Sequence, residues 1–559
     1  MIRKKWVSDN SKSEYIKELA RELCENESFV RILVERGADT KEKIEEFLNP
    51  SLCNLYDPFL LKDMDKAVLR IKEALKNNEK ICIYGDYDVD GVTAVTILYK
   101  FLKEKSENII TYIPDREREG YGVNNDAIYE LYEKNVDLLI TVDCGITSIS
   151  EVEYAKELGM EVIVTDHHTC PDILPRCVAV INPKRKDGNY PFSELCGAGV
   201  AYKLVTAFNE DITEEIKGIA ALGTVADIVP LVSENRIIVS DGLKYIRDGK
   251  VKGITALCKV AGIDVKNIDS QGLGFQIAPR INAAGRMNNS IDALMVFNCS
   301  DNEVDHYAEI LNKRNIERKE KEQEIYKIAL NEAQNCKDDE VIVVVGEDFH
   351  EGVIGIVASK ICDLYYKPCI MISLSDNIGK ASSRSIKFFD IYKALSDSGD
   401  LLVKFGGHEL AAGFTIEKEN ILLFKERINA YAKKVFKDKR PSPELFIDAK
   451  IKEEDMTEEF VTKIKSLEPF GLGNSEPVFV SDSLKVVKSM GLKDNRHLKL
   501  NLMAGYKELE GIGFGMGNFV NSLKKDDNIL VAGNIGINEF KGNKKFNIRI
   551  KDIRKSGIN

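Results

Sequence analysis

The chain has 559 residues, 44% of them hydrophobic and 30% charged, with a formal net charge of −11. That length exceeds a single hydrophobic core and predicts about three to four domains, while the acidic balance excludes a uniformly basic nucleic-acid coat and leaves a local basic groove open. No apolar run reaches about 18 residues, and the start MIRKKWVSDNSKSEYIKEL lacks an apolar stretch of signal-peptide length, so no membrane span and a cytoplasmic location are expected.

Residues 1–50 alternate short helical patterns with polar turns and read as an N-terminal helical cap. From Ile81 to Asn182 strands and helices alternate: ICIYGD, a helix over Val92–Lys105, IITYIPD, a helix over Asn125–Lys134, LLITVD, a helix over Ile149–Leu158, EVIVTD and CVAVINP. Strands separated by helices of this length require parallel crossovers, so this part is an α/β lobe with a parallel sheet, placed at 51–297. A buried helix over Thr213–Val225 leads to Asp227. The stretch 298–338 is nearly continuous, highly charged helical pattern, either a solvated surface helix or a long connecting helix. A second α/β lobe follows at 339–437. After the polar KDKRPSPE, residues 438–559 hold short strand-like runs between Gly and Asn turns, predicting a small OB-like β-barrel. The 12 cysteines form no CxxC pair and read as reduced core residues.

The chemistry concentrates at strand ends. In YGDYDVDG the carboxylates Asp86, Asp88 and Asp90 lie between a strand and a helix predicted to begin near Thr93, and alternate positions of an extended segment point the same way. Carboxylates at a helix start repel one another unless a cation sits among them, and hard oxygen donors suit Mg²⁺ or Mn²⁺. Asp143 ends a second strand and Asp166 a third, followed directly by His167 and His168. In a parallel sheet these ends share one edge, where such folds bind ligands. Asp227, after a long apolar helix, must be paired, capped or metal-bound. Cys144 reads as packing, because a thiol offers nothing to a hard-cation site.

With DYDVDG, VDCG, DHH and DIVPL in place, and with AVINPKRKDGNYPFSELCGAGVAYKL, APRINAAGRM and GGHELAAGF beyond them, the chain resembles the DHH phosphoesterase superfamily over almost its whole length, and within it the bacterial single-strand exonucleases. The resemblance implies two Mn²⁺ or Mg²⁺ ions held by Asp88, Asp90, Asp143, His167 and Asp227, with Asp143 bridging and His168 close to the scissile phosphate. It also marks a departure. Many of these enzymes carry a histidine ligand where this chain has Tyr84, so the first metal is expected to lean on Asp86 or water.

On the substrate side, Arg280 and Arg286 sit among small residues with Asn282. Arginine fixes phosphate oxygens in bidentate geometry, although composition alone also allows surface arginines at a helix start. Ser382 and Ser383 before Arg384 are expected to form an anion-binding nest, and Gly406 with Gly407 to place His408 at the head of a helix. The second lobe resembles the DHHA1 domain, which implies that Ser383, Arg384, Gly407 and His408 bind the terminal nucleotide or its phosphate. The last 79 residues, 481–559, carry 15 Lys and Arg against 8 Asp and Glu, and Lys485, Lys488, Lys493, Arg496, Lys499, Lys541, Lys544, Lys545, Arg549, Lys551 and Arg554 form a basic strip for sequence-independent strand binding. Phe540 and Phe546 are either base-stacking or barrel core. The loop LEPFGLGNSEPVF matches the family and is expected to shape a lobe junction. The function expected is a metal-dependent exonuclease releasing 5′-mononucleotides from single-stranded DNA in the 5′ to 3′ direction, in recombination and repair. It is expected to be a monomer, with single-strand-binding protein and a helicase as partners. The alternatives are a DHH phosphoesterase acting on short oligonucleotides or other small phosphoesters, and an inactive nucleic-acid-binding scaffold.

Overall fold

A computed structural model of the protein describes residues 4–9, 11–115, 119–120, 122–287, 290–437, 441–540 and 543–555. It divides into two compact units, one of Trp6–Gly285, Ser290–Glu309 and Phe446–Asn559, the other of Met1–Lys5, Arg286–Asn289 and Ile310–Leu445.

In the larger unit a five-stranded, all-parallel sheet runs in the order Ile109–Tyr112, Ile81–Gly85, Leu138–Val142, Glu161–Thr165, Ala179–Ile181. Ile81–Gly85 and Leu138–Val142 are buried at every position, as a sheet covered on both faces requires, so they read as unbroken apolar runs rather than alternating ones. Strand order reverses around Ile81–Gly85, the first strand in sequence. That reversal is a topological switch point, and the crevice outside the carboxyl ends there is where Asp86 and Asp143 emerge. The crossover helices are Val89–Lys103, Asn125–Glu133 and Ile149–Glu157. The first two are set by side-chain caps: Asp88 caps the first and Asn124 the second, where its side chain accepts from the Ala127 amide.

The same unit contains the C-terminal sheet. Its closed part is Asn528–Phe540, Leu484–Leu492, His497–Ala504, Lys507–Gly513 and Asn543–Lys555, with the last strand pairing back on the first; Ala449–Ile451 and Phe479–Ser481 extend it. Closure removes the free edges a flat sheet would expose. The N-terminal helices Ser13–Leu23, Glu27–Glu35 and Lys41–Leu48 bury Ile16, Phe29, Ile32, Leu33 and Ile44 in one apolar cluster with Ile451, Phe460, Phe479, Leu500 and Ile548. Arg36 reinforces this core with a 3.0 Å ion pair to buried Asp448.

The smaller unit has a sheet ordered Leu402–His408, Ala411–Glu417, Ile378–Arg384, Cys369–Ser375, Ile342–Glu347, in which only the last pair is parallel, joined by the helix Glu351–Tyr365. The predicted charged helix appears as Val304–Asn335, 32 residues long, after a separate helix Ile291–Asn298. It is not wholly a solvated face: Asn315, Arg318 and Glu322 are buried, and Arg318 holds both neighbours, Glu322 at 2.6 Å and Asn315 at 3.1 Å. Among the described residues no helix is long and apolar enough to cross a membrane.

Candidate metal centre

The DYDVDG segment departs from the extended loop its sequence suggests. Asp88 is the N-cap of the helix, its carboxylate accepting from the Gly91 amide at 3.0 Å, and the helix starts at Val89 rather than near Thr93. The side-chain cap replaces the missing intrahelical partner of that amide and so moves the boundary about one turn earlier. Asp90 therefore sits in the first helical turn, and the three carboxylates split. Asp86 and Asp88 group with Asp143, whereas Asp90 groups with His167 and Asp227; within each group the donor atoms lie within 4.8 Å of one another. Gly91 is fixed by crowding, since a Cβ there would stand 2.5 Å from the Asp86 carbonyl oxygen.

Asp90 is almost wholly buried, and its two oxygens accept from the Gly197 amide at 2.6 Å and the Ala198 amide at 2.8 Å, at the N-terminus of the helix Gly197–Thr206. A helix N-terminus favours negative charge, so this helix holds the carboxylate in place. Asp143, directly after its strand, has φ +57°, a left-handed conformation that a non-glycine residue keeps only when its surroundings enforce it.

Asp166, His167 and His168 divide the work. Asp166 accepts from the amides of Ile146 (2.9 Å), His167 (2.7 Å) and His168 (3.0 Å), and its Oδ1 lies 2.7 Å from His168 Nδ1. It belongs to none of the donor groups among the described residues; it is the post from which both histidines hang. Asn182 ties the same turn by donating to the His168 carbonyl at 2.9 Å. His167 Nε2 lies 3.0 Å from Asp143 Oδ1 and 3.7 Å from an oxygen of Asp90 and of Asp227. Both ring nitrogens of His167 and the Oδ1 of Asp143 are buried without a hydrogen-bond partner. Burial pushes the His167 imidazole down to about 3, with the charge of His168 adding to it, so the ring is neutral and its lone pair is available. A neutral imidazole surrounded by three carboxylates is a donor set that fits a divalent cation.

Asp227 is the C-cap of the helix Glu214–Ala226, and the following residues are clamped from a distant segment: the Leu231 amide donates to the Leu472 carbonyl at 2.7 Å. Gly471 admits Leu231, whose Cδ1 would be 2.7 Å from a Cβ there. The LEPFGLGN loop thus supports the Asp227 turn, a role its sequence did not disclose. Tyr84 is fully buried, donates its hydroxyl to the backbone carbonyl of Gly122 at 2.9 Å, and stacks on Tyr112 with ring centroids 5.1 Å apart. Cys144 is buried, in line with packing.

Crowding shows in the titration of the carboxyls. Burial, with Asp227 and Asp88 nearby, holds Asp90 well above the ordinary range; burial, with Asp90 and Asp88, does the same to Asp143; burial, with Asp88, raises Asp227 to about 7 from 3.8. In the metal-free protein these groups keep protons that the unfolded chain releases near its ordinary value. For Asp227 that stabilisation is complete below about pH 4 and is lost as pH rises through about 7. For Asp227 alone the difference is on the order of 4 kcal/mol. The thermal midpoint of the metal-free protein is expected to fall between about pH 5 and pH 8, Asp227→Asn to flatten that fall, and Mn²⁺ to restore the midpoint at the higher pH. Identical pH profiles for Asp227→Asn and the unaltered chain would remove this account.

The other expected site residues fall in both units. In the larger, Arg280 lies in the helix Ala278–Arg286 and donates to the Gln276 carbonyl at 2.5 Å, while Asn282 accepts from the Val89 amide at 3.2 Å and so braces the metal-loop helix. In the smaller, Arg286 donates to the Gly352 carbonyl at 2.8 Å and Arg384 to the Ser383 carbonyl at 2.8 Å. Two expectations are corrected. Ser382 and Ser383 form no nest, because Ile378–Arg384 lies between two antiparallel neighbours that take its backbone groups, and Ser383 is fully buried with its hydroxyl donated to Ala412 at 2.7 Å. His408 heads no helix: it is the exposed last residue of the strand Leu402–His408, opposite Ala411 in a tight hairpin. Gly407, at φ +142°, is required there, since a Cβ would stand 2.4 Å from the Ala412 Cα.

Comparison with known proteins agrees with this arrangement. Residues 80–224 match the DHH family N-terminal domain, 338–434 the DHHA1 domain and 447–552 the RecJ OB domain. The chain is 36% identical over 554 residues to the single-stranded-DNA-specific exonuclease RecJ of Bacillus subtilis, covering 98% of this chain and 70% of that one. To the Escherichia coli protein of the same name it is 32% identical, over 94% of this chain and 95% of the other.

The chain belongs to the RecJ family.

The crystal structure of RecJ from Thermus thermophilus in complex with Mn²⁺ superimposes with a TM-score of 0.85 at 29% identity, over 100% of this chain and 80% of that one. This RecJ-family chain also carries its barrel charges differently from the bare basic strip expected. Lys485 pairs with Asp526 at 2.9 Å, Lys499 with Glu510 at 3.1 Å and Lys545 with Glu508 at 3.7 Å, and Lys544 and Arg549 are in close pairs with Glu458 and Glu476. Phe546 packs, partly buried, on the barrel core; Lys541 and the side chain of Phe540 lie outside the described residues. Phe514, 63% exposed, instead lines a groove of about 830 Å³ with Arg247, Asn534, Asn547 and Arg549.

Proposed function

We propose that this chain is a metal-dependent exonuclease that hydrolyses single-stranded DNA from its 5′ end and releases 5′-mononucleotides. The observation that carries the reading is the pair of buried, unpartnered donors, His167 and Asp143, inside a ring of carboxylates at the sheet's switch point. Asp88, Asp143 and Asp86 would hold one Mn²⁺ or Mg²⁺, and Asp90, His167 and Asp227 the other, with Asp143 near both. Such ions orient and activate water for in-line attack on phosphorus and offset the developing oxygen charge.

The chain's own residues do the rest. Burial opposes charge on His168, but the hydrogen bond and charge of Asp166 outweigh it and hold the imidazole above its ordinary value. Held through Nδ1 by Asp166 and 45% exposed, the His168 ring is placed to donate to a phosphate oxygen. Arg280, Arg286, Arg384 and His408 contact the strand's phosphates, with Asn282, Ser383 and Gly407 holding the backbone that presents them. The groove at Phe514 takes bases and phosphates farther along the strand. Domain limits follow the sequence reading: a cap at 1–50, a DHH lobe at 51–297, a connecting helix at 298–338, a DHHA1 lobe at 339–437 and an OB-like domain at 438–559. Action as a cytoplasmic monomer with single-strand-binding protein and a helicase, in recombination and repair, completes the proposal. The barrel favours long strands over the small phosphoesters of the alternative reading.

The test is single-stranded DNA labelled at either end and incubated with Mn²⁺. Label at the 5′ end should appear at once as mononucleotide, and label at the 3′ end should pass through a descending ladder. The reverse order, internal fragments at early times, or equal cutting of a duplex end would overturn the proposal.

A further inference from the structure

We propose that the two cation positions are chemically unequal: an all-oxygen position at Asp86, Asp88 and Asp143 that takes Mg²⁺ readily and Mn²⁺ weakly, and a nitrogen-containing position at Asp90, His167 and Asp227 that selects Mn²⁺. The inference rests on the metal centre proposed above and concerns how its residues share the ions. The imidazoles face Asp143, 3.0 Å from His167 Nε2, as well as Asp90 and Asp227, but neither groups with Asp86 and Asp88. His167 Nε2 is 3.7 Å from both Asp90 and Asp227, and His168 groups with His167 and Asp143. Tyr84, two residues before Asp86 at the end of the same strand, brings no substitute donor, since its hydroxyl is committed to the Gly122 carbonyl at 2.9 Å.

The donors differ accordingly. Three carboxylates give a hard site of the kind Mg²⁺ accepts while keeping several waters. A neutral imidazole adds a borderline donor that binds first-row transition ions in preference to Mg²⁺. The nitrogen side is also the more rigid. Asp90 is fixed by two amides at 2.6 and 2.8 Å and His167 by the Asp166 turn, so little reorganisation is needed there on binding. Asp88, by contrast, is only half-buried and is held by a single amide, that of Gly91 at 3.0 Å.

The experiment is a Mn²⁺ titration of the full chain without DNA, followed by electron paramagnetic resonance and by ¹⁴N hyperfine spectroscopy of the first ion bound. Two classes of Mn²⁺ differing about tenfold or more in affinity are expected. The tighter should carry ¹⁴N coupling from an imidazole, and excess Mg²⁺ should displace the weaker ion and spare the tighter. His167→Ala should abolish the nitrogen-coupled class, and Asp86→Asn should weaken the other class only. Two equal classes, a first ion without ¹⁴N coupling, or Mg²⁺ displacing both ions alike would overturn the inference even if the chain degrades single strands as proposed. A chain that binds no Mn²⁺ at all would overturn the metal centre together with it.

Discussion

Asp143→Ala and His167→Ala are each expected to reduce hydrolysis of single-stranded DNA by about three orders of magnitude or more, while binding of the strand in chelator stays within about twofold. Asp143 belongs to the donor groups on both sides of the centre, and His167 faces Asp90, Asp143 and Asp227 together, so either change removes a donor that no neighbour can replace. The fold should survive. Asp143 is a buried carboxyl that burial and the neighbouring Asp90 and Asp88 keep protonated in the metal-free protein, so its removal breaks no ion pair there. Circular dichroism and the metal-free thermal midpoint check that, and Asp143→Asn repeats the experiment at nearly constant shape. Unchanged turnover in either variant would put the chemistry elsewhere in the chain.

A second large effect is expected from one methyl group. In Gly197→Ala the new Cβ would lie 2.5 Å from the Asp143 Cβ and 2.7 Å from its Cγ, distances at which something must move. Gly197 also gives its amide to Asp90 at 2.6 Å, so any retreat of the helix start disturbs carboxylates in both donor groups. Misplaced support around metal ligands costs about 10–100-fold in affinity or activity, and a loss at the upper end is expected for Mn²⁺ binding and hydrolysis. Gly199→Ala is the control. Its Cβ would have Leu195 Cδ2 at 3.4 Å, Leu195 Cβ at 3.5 Å and Cys196 Sγ at 3.6 Å as nearest neighbours, all ordinary contacts, so near-normal activity is expected. Equal losses in the two variants would point to helix stability rather than to pressure on Asp143.

These predictions draw on two kinds of information. The local sequence carried the elements and the inventory of donors. Largely apolar five-residue runs separated by helix-length segments require a parallel sheet, and acidic or imidazole residues directly after those runs emerge at its carboxyl edge. Asp143, Asp166 and His167 were legible for that reason, as was the barrel from its turn-separated strands. The start of the metal-loop helix was misplaced because a side-chain cap at Asp88 competes with the backbone pattern that periodicity reads. His408 was misplaced because a Gly-Gly pair permits a hairpin as readily as a helix start, and only pairing with Ala411–Glu417 chose between them.

What the sequence alone determined is the chemistry available: which donors this chain has, and that a parallel sheet gathers them. What only the tertiary structure decided is how those donors divide and what holds them. Asp90 parts from Asp86 and Asp88 because the amides of Gly197 and Ala198, more than a hundred residues away, claim it. Asp166 turns out to be an anchor rather than a ligand, the LEPFGLGN loop grips the turn after Asp227, and the N-terminal helices share a core with the barrel. Each of these joins residues far apart in the chain through shape, burial and hydrogen-bond geometry. Such contacts leave no periodic trace in a single sequence, because the partner that fixes each residue lies outside any local window.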